Sequence, residues 1–173
     1  VATALEESEV SREDVFIATK INHIELPAAT RDEVFEATHE SLERLGLDTI
    51  DLLYVHWPAG NYDPAVTLPA FEELRERGLI DHIGLSNFTP ALLEDALEHL
   101  DAPLTAHQVE MHPLFQQETL HEYARRDGHN LVAYSPLSNG EVFDVPVLRE
   151  IAEKHGVSVA QISLSWLLHK EQV

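Results

Sequence analysis

Short apolar, β-branched runs alternate five times with stretches of helical spacing along this chain, and that alternation constrains the fold more than anything else in it. The runs are Val15–Lys20, Ile50–His56, Ile80–Leu85, Leu104–Val109 and Asn130–Tyr134. Strands joined by helices imply a parallel sheet with right-handed crossovers. The run ends, near residues 20, 56, 85, 109 and 134, lie roughly one βα unit apart. Between them the helices carry their own start and stop signals. Thr30 and Glu33 form a capping-box pattern ahead of Val34, Thr38, Leu42 and Leu45, and Gly46 closes that helix. A second helix carries Leu68, Phe71 and Leu74 and ends at Gly78. A third opens on Thr89 with Pro90 at its first position and turns Leu93, Ala96, Leu97 and Leu100 inward. A fourth runs through Leu120, Tyr123 and Ala124 to Gly128. Two more are expected over Pro146–His155 and Ser158–Lys170, the latter with a capping pair at Ser158 and Gln161. No strand is followed by a GxGxxG turn and no GxxxxGK[ST] loop is present, which removes the common phosphate-loop folds. An open flavodoxin-like sheet or an arc of a (β/α)8 barrel remains.

Composition narrows the classes of function. The 173 residues hold 31 acidic and 11 basic side chains, a net charge of −20, with 44% hydrophobic residues. A field of that sign opposes nucleic acid and anionic membrane surfaces as partners. No cysteine is present, so disulfides, thiolate nucleophiles and Cys-ligated metals are excluded. No apolar run approaches the ~18–20 residues of a membrane span, and a cytoplasmic location is expected. Acidic residues such as Glu33, Glu36, Glu40 and Glu43 fall on the outer sides of helical patterns, where a solvated surface is expected. Only three lysines occur, Lys20, Lys154 and Lys170. Much acid and little lysine suggest a protein that works in high salt, where the Debye length falls to ~3 Å at 1 M.

The strand ends choose between the two architectures. In a βα barrel the chemistry sits where the strands end. Here the five runs end on Lys20, His56–Trp57, Ser86–Asn87, Gln108 with Glu110, and Tyr134–Ser135. Lys20 follows Phe16 and Ala18 in alternation, so it points to the barrel axis if they do; a buried ammonium there needs an anionic partner. His56 follows Leu52 and Tyr54 on one face, with Trp57 as an aromatic wall beside it. Ser86 and Asn87 either cap a turn before Thr89 or offer donors and acceptors to an amide-bearing ligand. Gln108, an amide inside an apolar strand, needs partners. Tyr134 either packs in the core or stacks on a flat heteroaromatic ring. The histidines are scattered, and His107 with His112 lacks the spacing of a zinc site, so no metal is expected.

The strings REDVFIATK, LGLDTIDLLYVHWP, GLIDHIGLSNF, HQVEMHP and LVAYSPL, in this order, resemble the aldo-keto reductases over essentially the whole chain. The resemblance implies an α/β fold, a (β/α)8 TIM-barrel fragment of about five parallel strands with their helices, spanning the third to seventh βα units. It implies hydride transfer between NAD(P)H and an aldehyde or ketone, with NADP as the expected cofactor, NAD as the alternative, and a small-molecule carbonyl substrate. Lys20 resembles the lysine that lowers the pKa of the family's acidic tyrosine, and His56 the histidine that orients the carbonyl. Trp57 resembles a wall of the substrate pocket. Ser86, Asn87 and Gln108 match the residues that hold the nicotinamide carboxamide, Tyr134 the ring that stacks on it, and Ser135 and Leu137 the start of the pyrophosphate loop.

Nothing in residues 1–14 matches the family's DTAxxYGNE-type pattern, which carries the proton-donating tyrosine and the aspartate that pairs the lysine. Residues 1–173 are therefore expected to be a partial oxidoreductase barrel domain, truncated at both ends and inactive in isolation. Self-association through open sheet edges is expected of such a piece. The competing expectation is a non-catalytic, barrel-derived binding or regulatory subunit.

Overall fold

The computed structural model describes residues 2–26 and 30–173. It divides into two compact units, residues 1–105 and 106–173. Val1, placed by the sequence inside a helical pattern, lies outside the described residues; the pattern itself is helix α1, Ala2–Glu7.

The first unit holds three parallel strands, β1 (Ala18–Ile21), β2 (Ile50–Val55) and β3 (Ile80–Ser86), in the order β1-β2-β3. Helices α2 (Arg31–Leu45), α3 (Pro64–Glu76) and α4 (Pro90–Leu97) connect and follow them. The capping box of Thr30 and Glu33 is formed, Gly46 takes the left-handed conformation that ends α2, and Thr89 caps α4. The buried core joins Leu53, Val55, Ile83 and Leu85 of the strands to Val34, Phe35, Leu68, Phe71 and Leu74 of α2 and α3. Each of the larger side chains contributes roughly 1.5–3 kcal/mol by leaving water. Glu36, Glu40 and Glu43 are exposed, a solvated face as their spacing implies.

Strand β1 is shorter than the apolar run that encodes it. The Ile17 N–H goes to Asp51 Oδ2 (2.6 Å) and not to a backbone carbonyl, and Arg12 holds the same carboxylate oxygen at 2.7 Å. The Ile17 carbonyl still accepts from the Leu52 N–H at 3.2 Å, but its own N–H is diverted to a side chain, and Val15–Ile17 lie outside the strand. Phe16, read as lining the same face as Lys20, is 60% exposed and stacks on His82.

The second unit holds the parallel pair β4 (Ala106–Glu110) and β5 (Asn130–Tyr134), with α5 (Glu118–Asp127), α6 (Pro146–His155) and α7 (Val159–Leu168). Leu104 and Thr105 precede β4 instead of opening it. Ser158 and Gln161 form the second capping box. Ser163 Oγ on α7 donates to the Pro136 carbonyl at 2.6 Å, tying that helix to the loop that follows β5. Among the described residues no helix is long and apolar enough to cross a membrane.

Candidate active site

In the first unit the strand register aligns Lys20, Tyr54 and Gly84 in one row. A Cβ at Gly84 would lie 2.4 Å from Tyr54 Cδ1, so the phenol ring occupies the space left by the missing side chain. Tyr54 is 2% exposed, and Lys20 Nζ stands 5.5 Å from its ring centroid. Lys20 is half-buried and, among the described residues, makes no ion pair. The sequence poses a choice between a surface lysine and a buried, paired one; among the described residues the half-buried ammonium neighbours the Tyr54 ring.

Immediately after β2 comes His56. Burial, then the charge of Lys20, lowers its pKa, partly offset by Glu25, so the imidazole is neutral at pH 7. Trp57 is 40% exposed, its ring tilted 43° to that of His56 at 6.2 Å. Asn87 Nδ2 donates to the His56 carbonyl (2.9 Å) and to Ser86 Oγ (3.0 Å), locking the ends of β2 and β3 together. Asn87 does this with φ at +67°, a conformation that costs a non-glycine residue energy and clusters at functional sites. Ser86 is buried at the end of β3.

In the second unit Gln108 and Glu110 share one face of β4, opposite Val132 and Tyr134 respectively. Gln108 and Tyr134 are thus diagonal neighbours and both are half-buried. Burial, then Glu110, raises the Tyr134 phenol. The backbone beyond Tyr134 is left-handed at Ser135 (φ +50°), Ser138 (+48°), Asn139 (+50°) and Gly140 (+102°). The Ser138 N–H donates to the Ser135 carbonyl and the Gly140 N–H to that of Leu137, both at 2.8 Å.

Two features of these strand ends escape sequence reading. Glu110 pairs with His112, Oε1 to Nε2 at 3.4 Å, and Gln117 Nε2 donates to the Glu110 carbonyl; the alternation of Gln108, Glu110 and His112 in HQVEMHP is the available signal. The other is the seat of Tyr54 on Gly84, signalled only by one glycine inside an apolar strand. The neighbour of His107 is His129, with ring centroids 6.2 Å apart, and no group of three metal-type side chains assembles among the described residues. A concavity of about 570 Å³ in the first unit lies at the other end of the strands, beside Arg12, Leu47 and Asp51.

The model of the aldo/keto reductase family matches residues 1–173. The chain belongs to the aldo/keto reductase family. The glyoxal reductase of Bacillus subtilis is 41% identical over 166 residues, covering 96% of this chain and 59% of that protein. The structure of MGS-M4, an aldo-keto reductase from a Medee basin deep-sea metagenome library, superposes with a TM-score of 0.91 at 34% identity, covering 99% of this chain and 64% of the other. The Bombyx mori aldo-keto reductase, solved in complex with NADP, gives 0.85 at 31%, covering 98% and 60%. The chain thus spans about three-fifths of the length of these relatives. Its five parallel strands with their helices correspond to part of an aldo/keto reductase (β/α)8 barrel.

Proposed function

We propose that this aldo/keto reductase chain carries the nicotinamide-holding and carbonyl-orienting parts of an NAD(P)H-dependent carbonyl reductase. The observation that carries the reading is that in each unit a polar strand end meets left-handed, non-glycine backbone, at Asn87 in the first and at Ser135 in the second. A reduced nicotinamide, NADPH in preference to NADH, would supply the hydride when bound. The residues present fit such a group: Ser86 and Asn87 in the first unit, and Gln108 in the second, offer amide and hydroxyl partners to a carboxamide, and Ser135 and Leu137 open the loop expected to meet the pyrophosphate. Tyr134 offers an aromatic face for the ring. His56, neutral at pH 7, presents an imidazole N–H to the carbonyl oxygen as negative charge develops there. Lys20 adds positive charge beside it, favouring the ionised form of a proton donor. Trp57 forms an apolar wall for the substrate. The reading places the protein in the cytoplasm with the pool of reduced nicotinamide, and it includes neither nucleic acid nor a membrane as partner.

Tyr54, Tyr62 and Tyr134 are all pushed upward by burial, Tyr54 to about 12. None of these three has the lowered pKa that a phenolic proton donor needs, and the fourth tyrosine, Tyr123, lies on α5 and not at a strand end. The 173 residues alone are therefore expected to hold the nicotinamide without turnover, as the binding-subunit alternative also requires. Titration of the chain with NADPH, followed by nicotinamide fluorescence in molar KCl, tests the reading. Saturable binding is expected, weakened roughly tenfold by Gln108→Ala, about the worth of one hydrogen bond. Glyoxal, suggested by the Bacillus subtilis relative, is the carbonyl to add next while absorbance at 340 nm is followed. Failure to bind NADPH at any salt concentration overturns the proposal, and NADPH consumption by the chain overturns the expectation of inactivity.

A further inference from the structure

We infer that Ser163 is a positioning residue for the loop after β5: its buried hydroxyl, reaching over from α7, fixes the Pro136 carbonyl and with it the path of Ser135–Leu137. The inference rests on the reading of that loop as the one that meets the cofactor pyrophosphate. It starts from a side chain of unexpected polarity for its place. Ser163 and Leu167 are the buried residues of α7, one helical turn apart, so Ser163 stands where packing favours an apolar group. A hydroxyl there costs free energy unless it finds a partner. Inside a helix that partner is ordinarily the carbonyl four residues back, as Thr38 on α2 bonds Val34 at 2.8 Å. Ser163 Oγ instead donates at 2.6 Å to the Pro136 carbonyl, 27 residues earlier in the chain.

The receiving loop carries strain. A residue ahead of proline favours an extended backbone, yet Ser135 has φ +50°, and Ser138 (+48°) and Asn139 (+50°) are left-handed as well. Residues other than glycine persist in that region only where their surroundings determine them. Three successive carbonyls are engaged: Ser135 accepts from the Ser138 N–H and Leu137 from the Gly140 N–H, both at 2.8 Å, and Pro136 from Ser163. The first two bonds lie within the loop and move with it. The third ties it to a helix, from a fully buried hydroxyl for which water does not compete. At the far end Arg149 of α6 reaches the Phe143 carbonyl and Asp144, but from the exposed surface. The buried tie therefore sits between Ser135 and Leu137, the two residues expected to open the pyrophosphate loop.

A positive φ brings a residue's own amide and Hα protons close together, so the loop has a signature in nuclear Overhauser spectra of the chain without cofactor. Strong intraresidue contacts are expected at Ser135, Ser138 and Asn139, with Gln117 (φ +54°) as an internal control. Ser163→Ala should average out the contact at Ser135 and leave that at Gln117. Ser163→Cys, which fills nearly the same space with a weak donor, should behave as the alanine variant does. An unsubstituted chain without the Ser135 contact overturns the inference before any variant has to fold. Retention of the contact in either variant overturns the claim that the hydroxyl holds the loop. In binding, Ser163→Ala should weaken NADPH roughly tenfold, about the worth of one hydrogen bond. It should leave unchanged the affinity for reduced nicotinamide riboside, which has no phosphate; equal weakening of both overturns the positioning role. A chain that binds neither compound counts against the reductase reading, and the Ser135 contact still decides the tie to Ser163.

Discussion

Replacing Gly84 by alanine isolates the contact on which the Lys20–Tyr54–Gly84 row depends. Gly84 has no positive φ, so the backbone accepts alanine. In a strand interior the change by itself is favourable by roughly 0.5–1 kcal/mol, because glycine loses more freedom on folding. The new methyl would, however, sit 2.4 Å from Tyr54 Cδ1, against ~3.5–4.0 Å for comfortable carbon contact. The ring must shift by about 1 Å or more, and at 2% exposure it has little room. Overpacking of this kind costs ~1–3 kcal/mol. The net expectation for Gly84→Ala is a loss of roughly 0–2.5 kcal/mol, centred a little above 1. In a Tyr54→Ala background the clash is gone and the same substitution should stabilise by roughly 0.5–1 kcal/mol. Urea unfolding followed by Trp57 fluorescence in a Trp166→Phe chain reads the first unit separately from the second. A Gly84→Ala effect of the same sign and size in both backgrounds refutes the contact.

Other outcomes follow from burial and charge. His107, held at about 3 by burial and by His129, and His23, held at about 4 by burial, stay neutral in the fold down to pH 5 but protonate in the unfolded chain below 6.5. The unfolded state then binds more protons, so stability falls with pH, by about 2 kcal/mol per histidine between pH 7 and 5; melts across that range check it, and His107→Gln should flatten the dependence. With a net charge of −20, the chain should gain stability as KCl rises towards molar concentration, and greater stability in dilute buffer would contradict this. Leu168, 81% exposed on α7 with Leu164 at 42%, should drive self-association, which Leu168→Glu is expected to reduce in light scattering after size exclusion. A monomer in the unsubstituted chain would count against that expectation.

Much of the architecture is legible in the amino-acid order because its signals are local. The capping pairs Thr30–Glu33 and Ser158–Gln161, Thr89 with Pro90, and Gly46 and Gly128 each set a helix end through hydrogen bonds or a φ that one or two residues supply. The boundaries of β5 and α6 are read to the residue for the same reason. The start of β1 is misread because Asp51, far along the chain, takes the N–H that a strand ladder would have used. The candidate site divides the same way. Lys20, His56, Ser86, Asn87, Gln108 and Tyr134 announce themselves as polar residues ending apolar runs. The link from Asn87 to the His56 carbonyl, the Glu110–His112 pair and the seat of Tyr54 join residues that share no local signal.

Order along the chain, then, determined which segments are strands and helices, which residues stand at the strand ends, and how acidic the surface is. Each of those follows from period, capping or charge within a few residues. Register is different: it is a pairing between segments some thirty residues apart, and it alone decided that Lys20 faces a tyrosine. Tertiary packing likewise decided that the Tyr54 ring fills the space beside Gly84, because a ring finds space only where a neighbouring strand leaves it.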